Sequence, residues 1–455
     1  MYVATARELQ ADAVRAAAGL WAMGARPGDR VAITTPEHPS AGGAPMALPD
    51  VARSQARVLS VVLGSLRAGI VPVMINPLLK PGERDLMLSD AQPMRHLRDP
   101  ADVDRLLDDP APAPDLSDYP QGRPMHYTSG TTGTPKGVWT GDLPEAQARE
   151  LWLDEQSLWQ FTGQDVSLVH GPLCHSGPLR FAIAVVLAGG SIAFPGRFDA
   201  RRTARALVEL KPTTAFVVPS HIQRVLALPG EPPASPYRML VHAGAPCPQQ
   251  LKTRLHHWAG AERVWEFYGA TEGQFSVCRG PEWEAHPGTV GKARTGRQLI
   301  ISDDVVWCAA PAFARFSYWR DPESTAKAWR ETGFGPAFTV GDLGRLDSDG
   351  YLFLDGRRED LIISGGVNIY PAEVEAVLAA CPGVREVAVF GVSDEDWGMR
   401  VCATYTGAAD QAVVAQWARD RLASYKIPKE IHRLSSLPYT ASGKIKRLEL
   451  ANRFS

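Results

Sequence analysis

The chain has 455 residues, 45% hydrophobic and 22% charged, and its 48 basic and 50 acidic side chains leave a formal charge of -2. That length exceeds what one hydrophobic core usually organises, so at least two domains are expected. The near-neutral balance, with no basic run beyond the short Lys444, Lys446, Arg447 stretch, argues against a nucleic-acid partner. The six cysteines (Cys174, Cys247, Cys278, Cys308, Cys381, Cys402) form no CxxC pair and no Cys/His cluster, which predicts reduced thiols in a cytoplasmic protein. No charged n-region with an apolar core opens the chain, so no signal peptide is expected. The longest apolar stretch, 181–194, is too short to cross a bilayer and is broken by Gly189 and Gly190, so no membrane insertion is expected.

In chain order, helical spacing over 5–21 is followed by a Gly/Pro turn and a strand at 30–34. The unit repeats as a helix at 56–68 with a strand at 70–75, and again as a helix at 200–210 with a strand at 214–219. The segment 99–118, rich in Asp, Pro and Ala, is expected to be a surface excursion. Alternating helices and continuous apolar strands predict an α/β fold: a large N-terminal domain of helix-covered, mainly parallel sheets. The texture changes after Asp349-Gly350, where a strand at 351–354 precedes a charged stretch. A helix at 371–380, opened by Pro371, and a buried-strand pattern at 387–392 predict a small α+β domain. The expected division is a large domain over 1–356, a hinge at 357–360 and a small mobile domain over 361–455.

The strongest chemical signal is Tyr127-Thr-Ser-Gly-Thr-Thr-Gly-Thr-Pro-Lys-Gly-Val138. Its glycines let backbone N–H groups turn inward around phosphate oxygens, its hydroxyls add donors, and Lys136 adds a compact positive charge. GxxxxGK[ST] fits neither here nor at Gly443-Lys444, so the loop is not a Walker A loop.

This loop resembles the signature of the adenylate-forming superfamily, which includes acyl-CoA synthetases, peptide-synthetase adenylation domains and luciferases. Four further motifs resemble that family's in the same order: Phe267-Tyr-Gly-Ala-Thr-Glu272, Gly341-Asp342-Leu-Gly-Arg345, the hinge Gly356-Arg357-Arg-Glu-Asp360, and Ser442-Gly-Lys444. The resemblance implies use of ATP and Mg2+ to form an acyl-adenylate with release of pyrophosphate, then transfer of the acyl group to a thiol. By the same resemblance Thr128, Ser129, Gly130, Thr131, Thr132, Gly133 and Lys136 hold the phosphates. Glu272 holds the Mg2+, Thr271 touches the α-phosphate, and Tyr268 with Gly269 meets the adenine, as does the loop Gly244, Ala245, Pro246. A plainer reading of Thr271-Glu272 is a helix N-terminal cap.

Asp342 is expected to accept from the ribose hydroxyls with help from Arg357, and Lys444 to offset the charge between carboxylate and α-phosphate. Glu359 matches the family's hinge residue, on which the small domain rotates. Gly365 and Gly366 let a pantetheine arm pass close to backbone, or else form a β-turn. His175 matches a position that lines or gates the acyl pocket, although a lone histidine is more often structural.

These expectations describe a ligase joining a small aryl or aliphatic acid to coenzyme A, as a monomer or homodimer. The alternative keeps adenylation and changes the acceptor: an amine, a carrier protein, or adenylated nitrite used to diazotise an aryl amine. Against the family's pattern the strands preceding the 5–21 helix are missing, the stretch from Pro77 to the phosphate loop is short, and 302–316 is abbreviated.

Overall fold

The computed structural model describes the 455-residue chain apart from 36–46, 80, 110, 129–134, 358–359, 361, 365–366, 370, 395–397, 423–425 and 440–444, and the side chains of 357, 363, 367–368, 373 and 398. Cα packing divides it into two compact units, Met1–Gln298 with Cys308–Phe338, and Leu299–Trp307 with Thr339–Ser455.

The first unit begins with β1 (Tyr2–Ala4), α1 (Ala6–Ala22), β2 (Arg30–Thr34), α2 (Leu48–Arg67), β3 (Val71–Ile75), α3 (Pro81–Ala91), β4 (Arg95–Leu97) and α4 (Pro100–Leu107). It continues with β5 (Met125–Thr128), β6 (Lys136–Trp139), α5 (Glu145–Trp159), β7 (Val166–Val169), α6 (Ser176–Leu187), β8 (Ser191–Phe194) and α7 (Ala200–Glu209). Then follow β9 (Thr214–Val217), α8 (Pro219–Leu226), β10 (Met239–His242), α9 (Gln249–Ala259), β11 (Val264–Gly269) and β12 (Gln274–Arg279).

Two sheets organise these elements. One has the order β4, β2, β3, β5, β6, with Ser317–Tyr318 on the edge beyond β6. Its first four strands are parallel and β6 is antiparallel. The other runs β1, β8, β7, β9, β10, β11, β12, parallel from β8 to β11 and antiparallel at β1 and β12. Parallel strands need both faces covered, which explains runs such as Val31, Ala32, Ile33 with no exposure at all. The long helix α2 supplies much of that cover by packing against β3 of one sheet and β8 of the other. It therefore begins eight residues before the expected helix, with Pro49 in its first turn.

Thr5 caps α1 by a reciprocal pair: its Oγ1 accepts from Glu8 N–H at 3.2 Å, and its N–H donates to the Glu8 carboxylate at 2.8 Å. Two expectations change. A short opening strand, β1, precedes α1 and pairs with β8. The 99–118 segment is not only a surface excursion, because α4 buries Val103, Leu106 and Leu107 against α1 and α2. Its three apolar positions were too few to register as a periodic pattern.

In the second unit, Val384–Asp394 pairs antiparallel with Gly398–Gly407, which pairs in parallel with Glu430–Arg433. Helices Pro371–Ala379 and Gln411–Arg421 close a core that includes Val374, Leu378, Val389, Tyr405, Val414 and Ile431. The strand Leu352–Arg357 extends into what the sequence suggested was a charged linker, because it pairs along Asp342–Leu346. Among the described residues no helix is long and apolar enough to cross a membrane.

Candidate active site

β5 and β6 are antiparallel neighbours, with Thr128 opposite Lys136, so the two ends of the hydroxyl-rich loop are pinned together. Lys136 Nζ donates to Ser324 Oγ at 2.8 Å and lies 4.0 Å from Asp321 Oδ2. It also stands 5.3 Å from the centroid of the Tyr318 ring. Tyr318, registered opposite Val138, donates its hydroxyl to Glu272 Oε1 at 2.9 Å. A continuous path thus runs from the loop's lysine through Tyr318 to the carboxylate of the other sheet. Ser129, Gly130, Thr131, Thr132 and Gly133 lie outside the described residues.

Glu272 and Thr271 occupy the turn between β11 and β12. The helix-cap alternative for this pair therefore fails. The turn closes by an Ala270 N–H to Gly273 C=O bond of 2.8 Å, after a register shift at Tyr268/Gly269. Glycine is required on both sides of it: a Cβ on Gly269 would stand 2.7 Å from Gly273 O, and one on Gly273 2.5 Å from the Phe338 ring. Tyr268, buried on β11, lies 4.8 Å ring to ring from Phe275.

Gly244, Ala245 and Pro246 form an exposed turn after β10, with Gly244 at φ +84°. Beneath it three side chains knot the strands to the next helix. Lys252 of α9, 1% exposed, is 2.6 Å from His242 Nε2 on β10 and 2.6 Å from Glu266 Oε2 on β11. Burial and the Lys252 ammonium hold His242 well below the ordinary imidazole range, so it is neutral and takes an N–H from the lysine. Burial raises the Glu266 carboxyl against the opposing pull of Lys252.

His175 is the N-cap of α6, its carbonyl accepting from Leu179 N–H at 3.3 Å. It lies within electrostatic reach of His126 and His221, whose burial pushes them down to about 3 and about 4. In the second unit Asp342, 8% exposed, opens a strand and is registered opposite Arg357. The Arg357 side chain, Glu359, Gly365, Gly366 and Lys444 lie outside the described residues.

Whether Mg2+ fits can be judged from the donors. Glu272 offers a hard carboxylate, and no group of three or more His, Cys, Asp or Glu among the described residues is placed to hold a metal by itself. That set suits a cation carried mainly on phosphate oxygens.

Sequence reasoning missed Tyr318 and Ser324 as partners of Glu272 and Lys136. Their signal was the segment Tyr318-Trp319 with Pro322 to Thr325, directly after the abbreviated 302–316 stretch. It missed the Lys252 cluster because His242 and Glu266 each sit singly within an apolar strand, while Lys252 is one of several polar residues in its helix.

A lysine and a carboxylate are thus held across two sheets, beside a glycine-hinged turn. Residues 123–306 match the AMP-binding enzyme family and 373–444 the AMP-binding enzyme C-terminal domain. A 2-succinylbenzoate–CoA ligase of Geobacillus kaustophilus is 35% identical over 71% of this chain and 68% of its own. A feruloyl-CoA synthase of Amycolatopsis is 31% identical over 99% and 94%. Among solved structures, ATP-bound MatB from Rhodopseudomonas palustris is 27% identical, covers 98% and 93%, and superposes with a TM-score of 0.85. The chain belongs to the AMP-binding enzyme family and is an AMP-forming ligase of the acyl-CoA synthetase type.

Proposed function

We propose that the protein activates a small aryl or aliphatic carboxylic acid with ATP, forming an acyl-adenylate and pyrophosphate, and then passes the acyl group to the thiol of coenzyme A. The observation that supports this reading is the Lys136, Tyr318, Glu272 path, which starts from the lysine after the hydroxyl-rich loop and links a cation and a carboxylate through one tyrosine. The relatives that join 2-succinylbenzoate or ferulate to coenzyme A support the acid and the acceptor. Mg2+, when bound, neutralises phosphate charge and orients the leaving pyrophosphate. Glu272 holds it, and Tyr318 fixes the rotamer of that carboxylate. Lys136 and the hydroxyls of Thr128, Ser129, Thr131 and Thr132, with the amides of Gly130 and Gly133, cradle the triphosphate, and Thr271 donates to the α-phosphate. Tyr268, Gly269 and the turn Gly244, Ala245, Pro246 receive the adenine, Asp342 and Arg357 receive the ribose, and His175 borders the acid.

Lys444 supplies the charge that lets carboxylate and α-phosphate approach, and 361–455 rotates on a 357–360 hinge to remove it after the first step. Gly365 and Gly366 then leave room for the pantetheine arm. The reaction takes place in the cytoplasm, where ATP and coenzyme A are available. A pyrophosphate-release screen over aryl acids, aliphatic acids, amino acids and nitrite, each with and without coenzyme A, tests the reading; release with no coenzyme A consumed would overturn the acceptor. Lys444→Ala should lose roughly 10²-fold or more of acid-dependent pyrophosphate release, yet still use a presynthesised acyl-AMP. Unchanged first-step kinetics would remove Lys444 from the mechanism.

A further inference from the structure

The first unit buries a second set of charges that adenylation leaves without a task. α5 contributes Asp154 and Glu155, α6 contributes Arg180, the segment after β12 contributes Arg294 and Arg297, and Arg123 lies just before β5. The side chains of Arg180, Arg294 and Arg297 are 9%, 1% and 5% exposed, and Arg123 as a residue 6%. Glu155 pairs with Arg180 and, at 3.2 Å, with Arg294. Asp154 pairs with Arg294 at 2.7 Å and Arg297 at 2.9 Å. Four guanidiniums therefore face two carboxylates. The Arg123 guanidinium donates to a neutral group, the Ala314 carbonyl, at 3.2 Å, and among the described residues the Nε–H groups of Arg123 and Arg180 find no acceptor.

Buried charge without a counter-charge is strongly unfavourable. Burial and the adjacent Arg180 push the Arg123 guanidinium well below its ordinary range, whereas Arg180 and Arg294 hold Glu155, despite its burial, well below the usual carboxylate range. Glu155 is thus ionised, and the corner holds more guanidinium groups than carboxylates. Its position is informative. His126, which feels both Arg180 and Arg123, is on β5 two residues before Thr128, a rise of about 7 Å along one strand face. Gln274, which accepts from Arg294, is two residues past Glu272. The strands bordering the corner, β5 and β12, thus adjoin Thr128 and Glu272 respectively.

We infer that Arg123 and Arg180 form a subsite for an oxyanion beside the adenylation centre, supplied either by a second acidic group on the acid substrate or by a small free oxyanion. The substrate role rests on the adenylation reading; the anion site does not. Both Nε–H groups lack an acceptor among the described residues, and an incoming oxyanion restores the charge balance with charge-assisted hydrogen bonds.

The test compares pyrophosphate release for matched acids, benzoate against isophthalate and butyrate against glutarate, and for nitrite alone. In parallel, melting of the ATP-free protein is followed in nitrite, phosphate or malonate against chloride at equal ionic strength. We expect a diacid or nitrite to exceed its comparator about tenfold or more in kcat/KM, and at least one oxyanion to raise the melting temperature. Arg123→Met should abolish both effects while melting, without anion, at or above the wild-type temperature, because it removes an uncompensated cation; Arg123→Lys should retain part of each. Equal use of mono- and diacids together with no oxyanion-specific melting shift in wild type would overturn the subsite, even if Arg123→Met does not fold. An oxyanion shift that persists unchanged in Arg123→Met would place the anion in the phosphate loop and also overturn it. Failure of every acid to release pyrophosphate would instead overturn adenylation, and the melting arm would still judge the corner.

Discussion

Two buried charge clusters lie in the same unit and differ in one respect. The Lys252 knot holds one ammonium between one carboxylate and one neutral imidazole, so its charges balance and its lysine is fully engaged. The arginine corner holds more guanidinium than carboxylate, and two of its Nε–H groups find no acceptor among the described residues. Interiors tolerate the first arrangement indefinitely because the desolvation of each ion is offset by a partner at hydrogen-bond distance. The second is tolerable when something else brings the missing charge. A balanced cluster is thus read as structural support, here for the turn at Gly244 and the strand of Tyr268, and an unbalanced one as a place for a ligand.

The comparison breaks most sharply at the knot. Lys252→Met leaves Glu266 buried with no cation, and unfolding stability at pH 7 should fall by about 3–5 kcal/mol, read from the denaturant midpoint; an unshifted midpoint would mean the cluster does not hold the fold. Removing both charges, Lys252→Met with Glu266→Gln, should recover about 2 kcal/mol of that loss. No recovery would show that packing of the lysine stem, not charge, is what matters.

A third prediction concerns pH, because His126, His170 and His221 are all neutral in the fold, burial pushing them down to about 3, about 3 and about 4. Their folded values lie below the unfolded value of about 6.5, so the unfolded chain takes up protons first as pH drops. Stability is complete above pH 6.5 and falls between there and the folded values, each histidine contributing a slope of up to about 1.4 kcal/mol per pH unit. His126→Gln should flatten the stability curve between pH 6.5 and 4, and an unchanged slope would mean His126 is protonated in the folded protein. The smallest effect is expected at the corner: Arg123→Met without ligand should change stability by less than about 1 kcal/mol. A loss as large as that of Lys252→Met would make the two clusters equivalent and remove the distinction.

Much of the architecture was legible beforehand. Strand 30–34 coincides with β2, and the helices at 5–21 and 200–210 fall within a residue of α1 and α7, because apolar runs and capping residues act over a few positions of chain. The helix at 56–68 was seen only in its second half. Its first turn is exposed, and α2 packs against a distant strand, β8, a contact that the local pattern does not encode. α4 escaped because its three apolar positions are too few to make a periodic pattern.

The sequence by itself determined the order of the motifs, the hydroxyl-rich loop, and the residue types that phosphate and Mg2+ chemistry require, because these are properties of short segments. Only the tertiary structure decided that Glu272 belongs to a glycine-hinged turn, that Tyr318 joins it to Lys136 from another sheet, and that Arg123 and Arg180 come within electrostatic reach of each other. The physical reason is range. Conformational preferences are set by near neighbours along the chain, whereas hydrogen bonds and charge balance depend on through-space distances between residues as far apart as Glu155 and Arg294, which packing alone brings together.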